Sequence, residues 1–273
     1  MANIPFFKMA ASGNDFVLID ARRRSFKKGL AALARRMCDR RRGVGADGLL
    51  ILESSRRADV RMRIFNPDGS EPAMCGNGIR CAAVFCAASN RRVSRLRIET
   101  GAGIVRVEVA RGMARVHLTP PKEIRLHRRI RIAGKNLQVH TIDTGVPHAV
   151  TLVGNVQKVD ISKLGSALRF HSAFKPHGTN VDFVQIKSPR RIAVRTYERG
   201  VEAETLACGT GVSASGVIAG LVKGVSSPVL VETRSGDVLK VSFKESGGEI
   251  QHITLEGGAN LTFHGEFELK NIT

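Results

Sequence analysis

A chain of 273 residues that is 42% hydrophobic holds enough apolar side chains for one large core or two modest ones, so an ordinary folded, globular protein is predicted. Its 43 Lys and Arg against 24 Asp and Glu give a formal net charge of +19, a balance that invites a nucleic-acid reading. The basic groups, however, are scattered (Arg22 to Lys28, Arg35 to Arg42, Arg91-Arg92, Arg125 to Lys135, Arg190-Arg191) without a basic tail, and one Tyr and no Trp leave little for base stacking, so a nucleic-acid partner is not expected.

In chain order, "DFVLID" predicts a strand, and "GLAALARRMCDRRRGVGAD" a helix from about Leu30 closed by Gly43. "GLLILE" and "VRMRIFNPDGSE" predict a strand pair ending in a Pro-Asp-Gly turn. A first Cys-Gly element follows, "AMCGNGIRCAAVFCAA", then "LRIETGAGIVRVEV" and "ARVHLTPP", which alternate like antiparallel strands. The second half repeats this order. Cys75 and Cys208 stand 133 residues apart (208 − 75), as do Glu99-Thr100 and Glu232-Thr233, and Gly103 and Gly236. Upstream, one inserted residue pairs Asn66 with Glu198, and "GNDFVLI" resembles "GTNVDFVQI". The expected organisation is two copies of one mixed α/β unit, residues 1–118 with 262–273 returning to them, and residues 119–261, with a boundary near Thr119-Pro120-Pro121. The seam of such a pair is a natural ligand cleft.

Five cysteines, an odd number spread over a long chain, do not make a secreted disulfide framework. C-x-x-C is absent and the histidines do not cluster at ligand spacing, so no metal site is predicted. The N-terminal stretch lacks the pattern of a secretory signal, and no apolar run reaches membrane-spanning length; a soluble, cytoplasmic protein is the expectation.

After Cys75 and Cys208 the sequence becomes small and apolar on all sides ("GIRCAAVFCAA", "GVSASGVIAGL"), which predicts two buried helices. Each cysteine then occupies a helix N-terminus, where unpaired N–H groups favour an anion and lower a thiol's pKa. The glycine that follows lets a carboxylate or enolate approach the same amides. Cys38, Cys81 and Cys86 lie inside helical patterns and read as core residues. Both Gly-x-Gly segments also fit plain turn chemistry, and His148 taken alone fits a structural role. Two thiols at equivalent places in a repeat suit stereoinversion at a carbon acid, where one group removes a proton from one face and another returns one to the opposite face.

Over nearly the whole chain the sequence resembles the diaminopimelate epimerase family, through "GNDFVLID", "GVGADGLL", "FNPDGSEPAMCGNGIRC", "ETGAGIVRVEV", "GVPHAV", "GTNVDFVQI" and "RTYERGVEAETLACGTG" in that order. The resemblance implies two similar domains, each wrapping sheet around a central buried helix, and cofactor-independent interconversion of LL- and meso-2,6-diaminopimelate for lysine and peptidoglycan synthesis. It implies a homodimer with a small-molecule substrate, no membrane and no cofactor. Carried over by motif, Cys75 and Cys208 are the acid/base pair. Gly76, Asn77, Gly209 and Thr210 surround the reacting carboxylate, and Asn14, Asn66, Asn180, Glu198 and Arg199 are the other substrate-binding positions. His148 and Glu198 tune the thiols. Gly48 and Val146 stand where many members carry Gln and Asn, so those roles are not carried over. A racemase or epimerase for another amino acid, and a basic binding module that has lost its chemistry, are the alternatives.

Overall fold

The computed structural model describes residues 3–24, 26, 29–89, 93–132, 134–247 and 249–268. Lys27, Lys28, Arg91 and Arg92 of the basic runs, and residues 269–273 of the expected returning segment, lie outside the described residues. Two compact units divide the chain, Met1–Val116 with Gly257–Thr273, and His117–Glu256.

Unit 1 contains strands β1 (Asn3–Ala11), β2 (Asn14–Asp20), β3 (Gly48–Glu53), β4 (Val60–Phe65), β5 (Arg95–Thr100), β6 (Gly103–Ala110) and β7 (Met113–His117), with helices α1 (Leu30–Cys38) and α2 (Gly76–Ser89). A final strand, Asn260–Glu268, lies antiparallel to β1. From that strand through β1 to β7 the successive pairings are antiparallel, antiparallel, parallel, antiparallel, parallel, antiparallel and antiparallel.

Unit 2 contains β8 (Lys122–Ile132), β9 (Lys135–Asp143), β10 (Pro147–Leu152), β11 (Asn180–Ser188), β12 (Arg191–Glu198), β13 (Ala203–Thr205), β14 (Val229–Glu232), β15 (Val238–Ser246) and β16 (Glu249–Gly258), with helices α3 (Ile161–Arg169) and α4 (Gly209–Lys223). In the order β8, β9, β10, β11, β12, β14, β15, β16 the pairings follow the same sequence of senses as in unit 1. The repeat is one of topology, and unit 1 obtains its first strand from the far end of the chain.

Strand pairing also fixes the internal register, and it differs from one expectation. Phe16 faces Gly48 as His148 faces Asn180, and Leu49 faces Phe65 as Val181 faces Tyr197, an offset of 132 throughout (148 − 16, 180 − 48, 181 − 49, 197 − 65). Asn66 and Glu198 are therefore counterparts, but β11 corresponds to β3 and not to β2. The likeness of "GNDFVLI" to "GTNVDFVQI" reflects shared composition, because strands buried on both faces draw on the same few residues whatever their place in the sheet.

Helices α2 and α4 are the centres of their units. In α4 every residue from Gly211 to Ala219 is buried, and the helix packs against β9, β10, β11, β12, β14 and β15. Small side chains permit this: a Cβ on Gly216 would lie 3.1 Å from the Val241 side chain. Helix α2 is treated likewise, with Ile79, Cys81, Ala82, Ala83, Phe85 and Cys86 buried. Helix α1 ends at Cys38, well before Gly43, because the Asp39 carboxylate accepts from the Arg41 and Arg42 N–H groups at 2.7 and 2.8 Å and turns the chain out of the helix.

Candidate active site

In unit 1, Cys75 stands immediately before α2, its carbonyl accepting from Ile79 N at 2.9 Å and its Sγ accepting from Gly78 N at 3.5 Å. The thiol is half-buried. A Cβ on Gly76 would meet no described atom within 4 Å, so the packing of the fold does not itself require a glycine there. Asn77 and Asn14 are joined, Asn77 Nδ2 donating to Asn14 Oδ1 at 2.6 Å, and Asn14 Nδ2 donates onward to Asp47 Oδ2 at 3.0 Å. Behind them the wholly buried Arg80 donates to Asn77 Oδ1, to Ser12 Oγ at 2.9 Å and to the Gly258 carbonyl at 3.2 Å. Asn66 is in the turn after β4, where its Nδ2 donates to Ser70 Oγ at 2.9 Å.

In unit 2, Cys208 is the N-cap residue of α4, its carbonyl accepting from Val212 N at 2.9 Å. Its Sγ is 3.3 Å from Thr210 Oγ1, which is 3.0 Å from His148 Nε2. His148 Nδ1 is 2.7 Å from Asp182 Oδ2, and Thr196 Oγ1 donates to Asp182 Oδ1 at 2.7 Å. Four side chains thus run in line from a buried carboxylate to the thiol. Asn180, on β11 beside His148 on β10, donates to the Pro147 carbonyl at 3.1 Å and accepts from Arg199 N at 2.8 Å, tying the "GVPH" turn to the "YERG" turn. Arg199 Nη1 also donates to the His177 carbonyl.

The electrostatics depart from the sequence expectation at Cys208. Burial pushes this thiol well above the usual range, and the charges of Glu198 and Asp182 push in the same direction, against the Thr210 hydroxyl and the Gly211 N–H. Helix-terminal amides favour a thiolate, but here removal from water and two acids outweigh them. Burial likewise raises Glu198, and the Asp182 charge adds to it. The sequence motifs do not single out Asp182, Asp47 or Arg80. Asp182 carries a visible signal, a carboxylate within the apolar run Val181 to Val184. Among the described residues no group of three or more His, Cys, Asp and Glu could hold a metal ion, and no helix is long and apolar enough to cross a membrane.

The family model for diaminopimelate epimerase matches residues 6–123 and 140–262. A diaminopimelate epimerase of Aquifex aeolicus (strain VF5) is 42% identical over 274 residues, covering 95% of this chain and 96% of that protein. One from Chlorobaculum tepidum is 40% identical over 265 residues, covering 96% and 100%. Among solved structures, a Bacillus anthracis phenazine biosynthesis protein of the PhzF family superposes with a TM-score of 0.76 at 18% identity over 98% of this chain and 100% of that one. A hydroxyproline epimerase from Agrobacterium vitis does so with 0.72 at 15% identity over 98% and 91%. At these identities the two structures speak for the fold alone.

Proposed function

The chain belongs to the diaminopimelate epimerase family, a family of isomerases, and from that premise we propose that it interconverts LL- and meso-2,6-diaminopimelate, with Cys75 and Cys208 serving opposite faces of one α-carbon. The observation that carries this reading is the equivalence of the two thiols, each placed just before the buried central helix of a unit of the same topology. For the LL substrate, Cys208 takes the α-proton and Cys75 delivers one; the roles exchange in reverse. The N–H groups opening α2 and α4, at Gly76, Asn77, Gly209 and Thr210, hold the carboxylate charge that grows in the carbanion-like transition state. Asn14, Asn66, Asn180, Glu198 and Arg199 bind the rest of the substrate, with a guanidinium for a carboxylate and an acid for an ammonium. His148 and Glu198 adjust the thiols. The reaction uses no cofactor, runs in the cytoplasm in a homodimer, and serves lysine and peptidoglycan precursor synthesis.

A second reading, an epimerase for another amino acid, is favoured by Gly48, where a Cβ would already lie 3.2 Å from the Phe16 ring and the Phe65 carbonyl, so that the longer polar side chain common in the family would need those neighbours to shift. One experiment separates the two. Deuterium incorporation at the α-carbon of LL-diaminopimelate is followed by NMR in heavy water with reductant, for wild type, Cys75→Ala and Cys208→Ala. Exchange with inversion in wild type and loss of inversion in both variants is expected. A folded, reduced wild type that leaves the α-hydrogen untouched would end the diaminopimelate reading and turn attention to other amino acids.

A further inference from the structure

Asp182 has no side-chain exposure and lies on β11, within an otherwise apolar stretch. Its two oxygens are met by the Thr196 hydroxyl and by His148 Nδ1, each at 2.7 Å. Burying a carboxylate is costly unless its partners are very good, and the fold does not require one here. Val150 faces Asp182 in unit 2 as Leu18 faces Leu50 in unit 1, so Leu50 is its counterpart at the same offset of 132 (182 − 50, 150 − 18). The neighbourhoods agree: a Cβ on Gly78 would meet Leu50, and one on Gly211 would meet Asp182. One unit fills this place with a leucine, and the other with an acid aimed at a histidine.

We propose that Asp182 is a positioning residue which, through His148 and Thr210, provides the route by which Cys208 loses and regains its proton. This rests on the reading of Cys208 as an acid/base group. A carboxylate only accepts hydrogen bonds, so the ring proton of neutral His148 is on Nδ1 and Nε2 is left as an acceptor. The Thr210 hydroxyl donates to Nε2, and its oxygen faces the Cys208 thiol. When the thiol ionises, its proton passes to Thr210 Oγ1 as the hydroxyl proton passes to His148 Nε2. The products are a thiolate and an imidazolium, and the imidazolium is held by the Asp182 carboxylate. The reverse transfer restores the thiol. Cys208 is otherwise poorly placed to become a base, since burial and two neighbouring acids hold its proton on.

The test uses 15N-histidine-labelled protein, with His148 assigned by difference against His148→Gln. Wild type is expected to show a protonated Nδ1 and a bare Nε2. In Asp182→Asn the amide carbonyl keeps the Thr196 hydrogen bond, but the NH2 group is turned to the ring, which drives the proton to Nε2. We expect that tautomer shift together with a loss in kcat of at least ~100-fold and little change in KM, as for other histidines held in the wrong tautomer. Thr210→Val keeps the backbone N–H and the Nδ1–H tautomer but breaks the next link, and kcat should fall comparably. Alkylation of Cys208 by iodoacetamide, followed by mass spectrometry, should slow in both variants. An unshifted tautomer in Asp182→Asn, wild-type kcat in either variant, or unchanged Cys208 alkylation would overturn the proposal. Tautomer and alkylation need no substrate, so they decide it even if LL-diaminopimelate proves to be the wrong amino acid.

Discussion

The two central helices offer a paired test of the packing, through Gly78→Ala and Gly211→Ala. A new Cβ at Gly78 would lie 3.0 Å from Leu50 Cδ2, the free end of a side chain that can rotate away. At Gly211 it would collide with Asp182 Oδ1 and approach Asp182 Cγ and Thr196 Oγ1, each at 3.2 Å. That carboxylate cannot retreat, being buried and bonded through both oxygens at 2.7 Å. Overpacking a core costs about 1–3 kcal/mol, and straining a hydrogen bond to a charged group about 1.5–3 kcal/mol more. The gain in helix propensity returns only about 1 kcal/mol. Combining these, Gly211→Ala should lose about 1.5–5 kcal/mol, and Gly78→Ala should stay within about 1 kcal/mol of wild type. Urea unfolding followed by tyrosine fluorescence is the assay for unit 2, because Tyr197, buried on β12, is the only Tyr in a chain without Trp. Far-UV circular dichroism monitors Gly78→Ala. Equal losses in the two variants, or a Gly211→Ala protein as stable as wild type, would refute the account of Asp182 as pinned.

Gly76→Ala should fold with wild-type stability, since the methyl group meets no described atom, yet lose at least ~10-fold in kcat/KM if a carboxylate approaches the helix there; steady-state kinetics beside a melting curve decides it. Iodoacetamide should modify half-buried Cys75 first in the native protein. Cys38 and Cys86, each pushed up to about 11 by burial, and Cys81, raised further by burial, should react only after denaturation. Asp15 supplies a pH test. Burial raises its carboxyl, but hydrogen bonds from Arg40 and Lys8 outweigh this and hold it at about 2 against an ordinary 3.8. The charged form therefore stabilises the fold above about pH 4, and that contribution is lost as pH falls towards 2. It is worth roughly 1 kcal/mol after solvent screening, so Asp15→Asn should flatten the urea midpoint between pH 4 and 2.

The positions of the two thiols were legible because small apolar residues follow each cysteine for several helical turns, a pattern that only a buried helix satisfies. The repeat was legible for the same reason, through glycines and cysteines that mark turns and helix starts. Strand register was less so: β2, β3 and β11 are all largely buried, and such strands differ too little in composition to be paired by eye. The end of α1 was missed because Asp39 bonds the backbone locally, a competition that hydrophobic periodicity does not register. At Cys208 the helix terminus is visible in sequence, whereas the burial that raises the thiol, and the Asp182 charge that adds to it, come only with folding. Asp182 and Arg80 show the general difficulty. A polar residue in an apolar run announces that it needs partners, but His148, Thr196, Ser12 and Gly258 are supplied only by folding.

The final strand sets a schedule for synthesis. Asn260–Glu268 completes the sheet of unit 1 beside β1, yet it follows all of unit 2 in the chain. At roughly 5–20 residues per second, a ribosome spends on the order of ten seconds making residues 117–256 while unit 1 waits with the flank of β1 uncovered. Unit 2 is under no such delay, since its whole sheet is encoded contiguously. The N-terminal unit should therefore be the later of the two to mature on the ribosome, and the one more dependent on holdase chaperones in the interval.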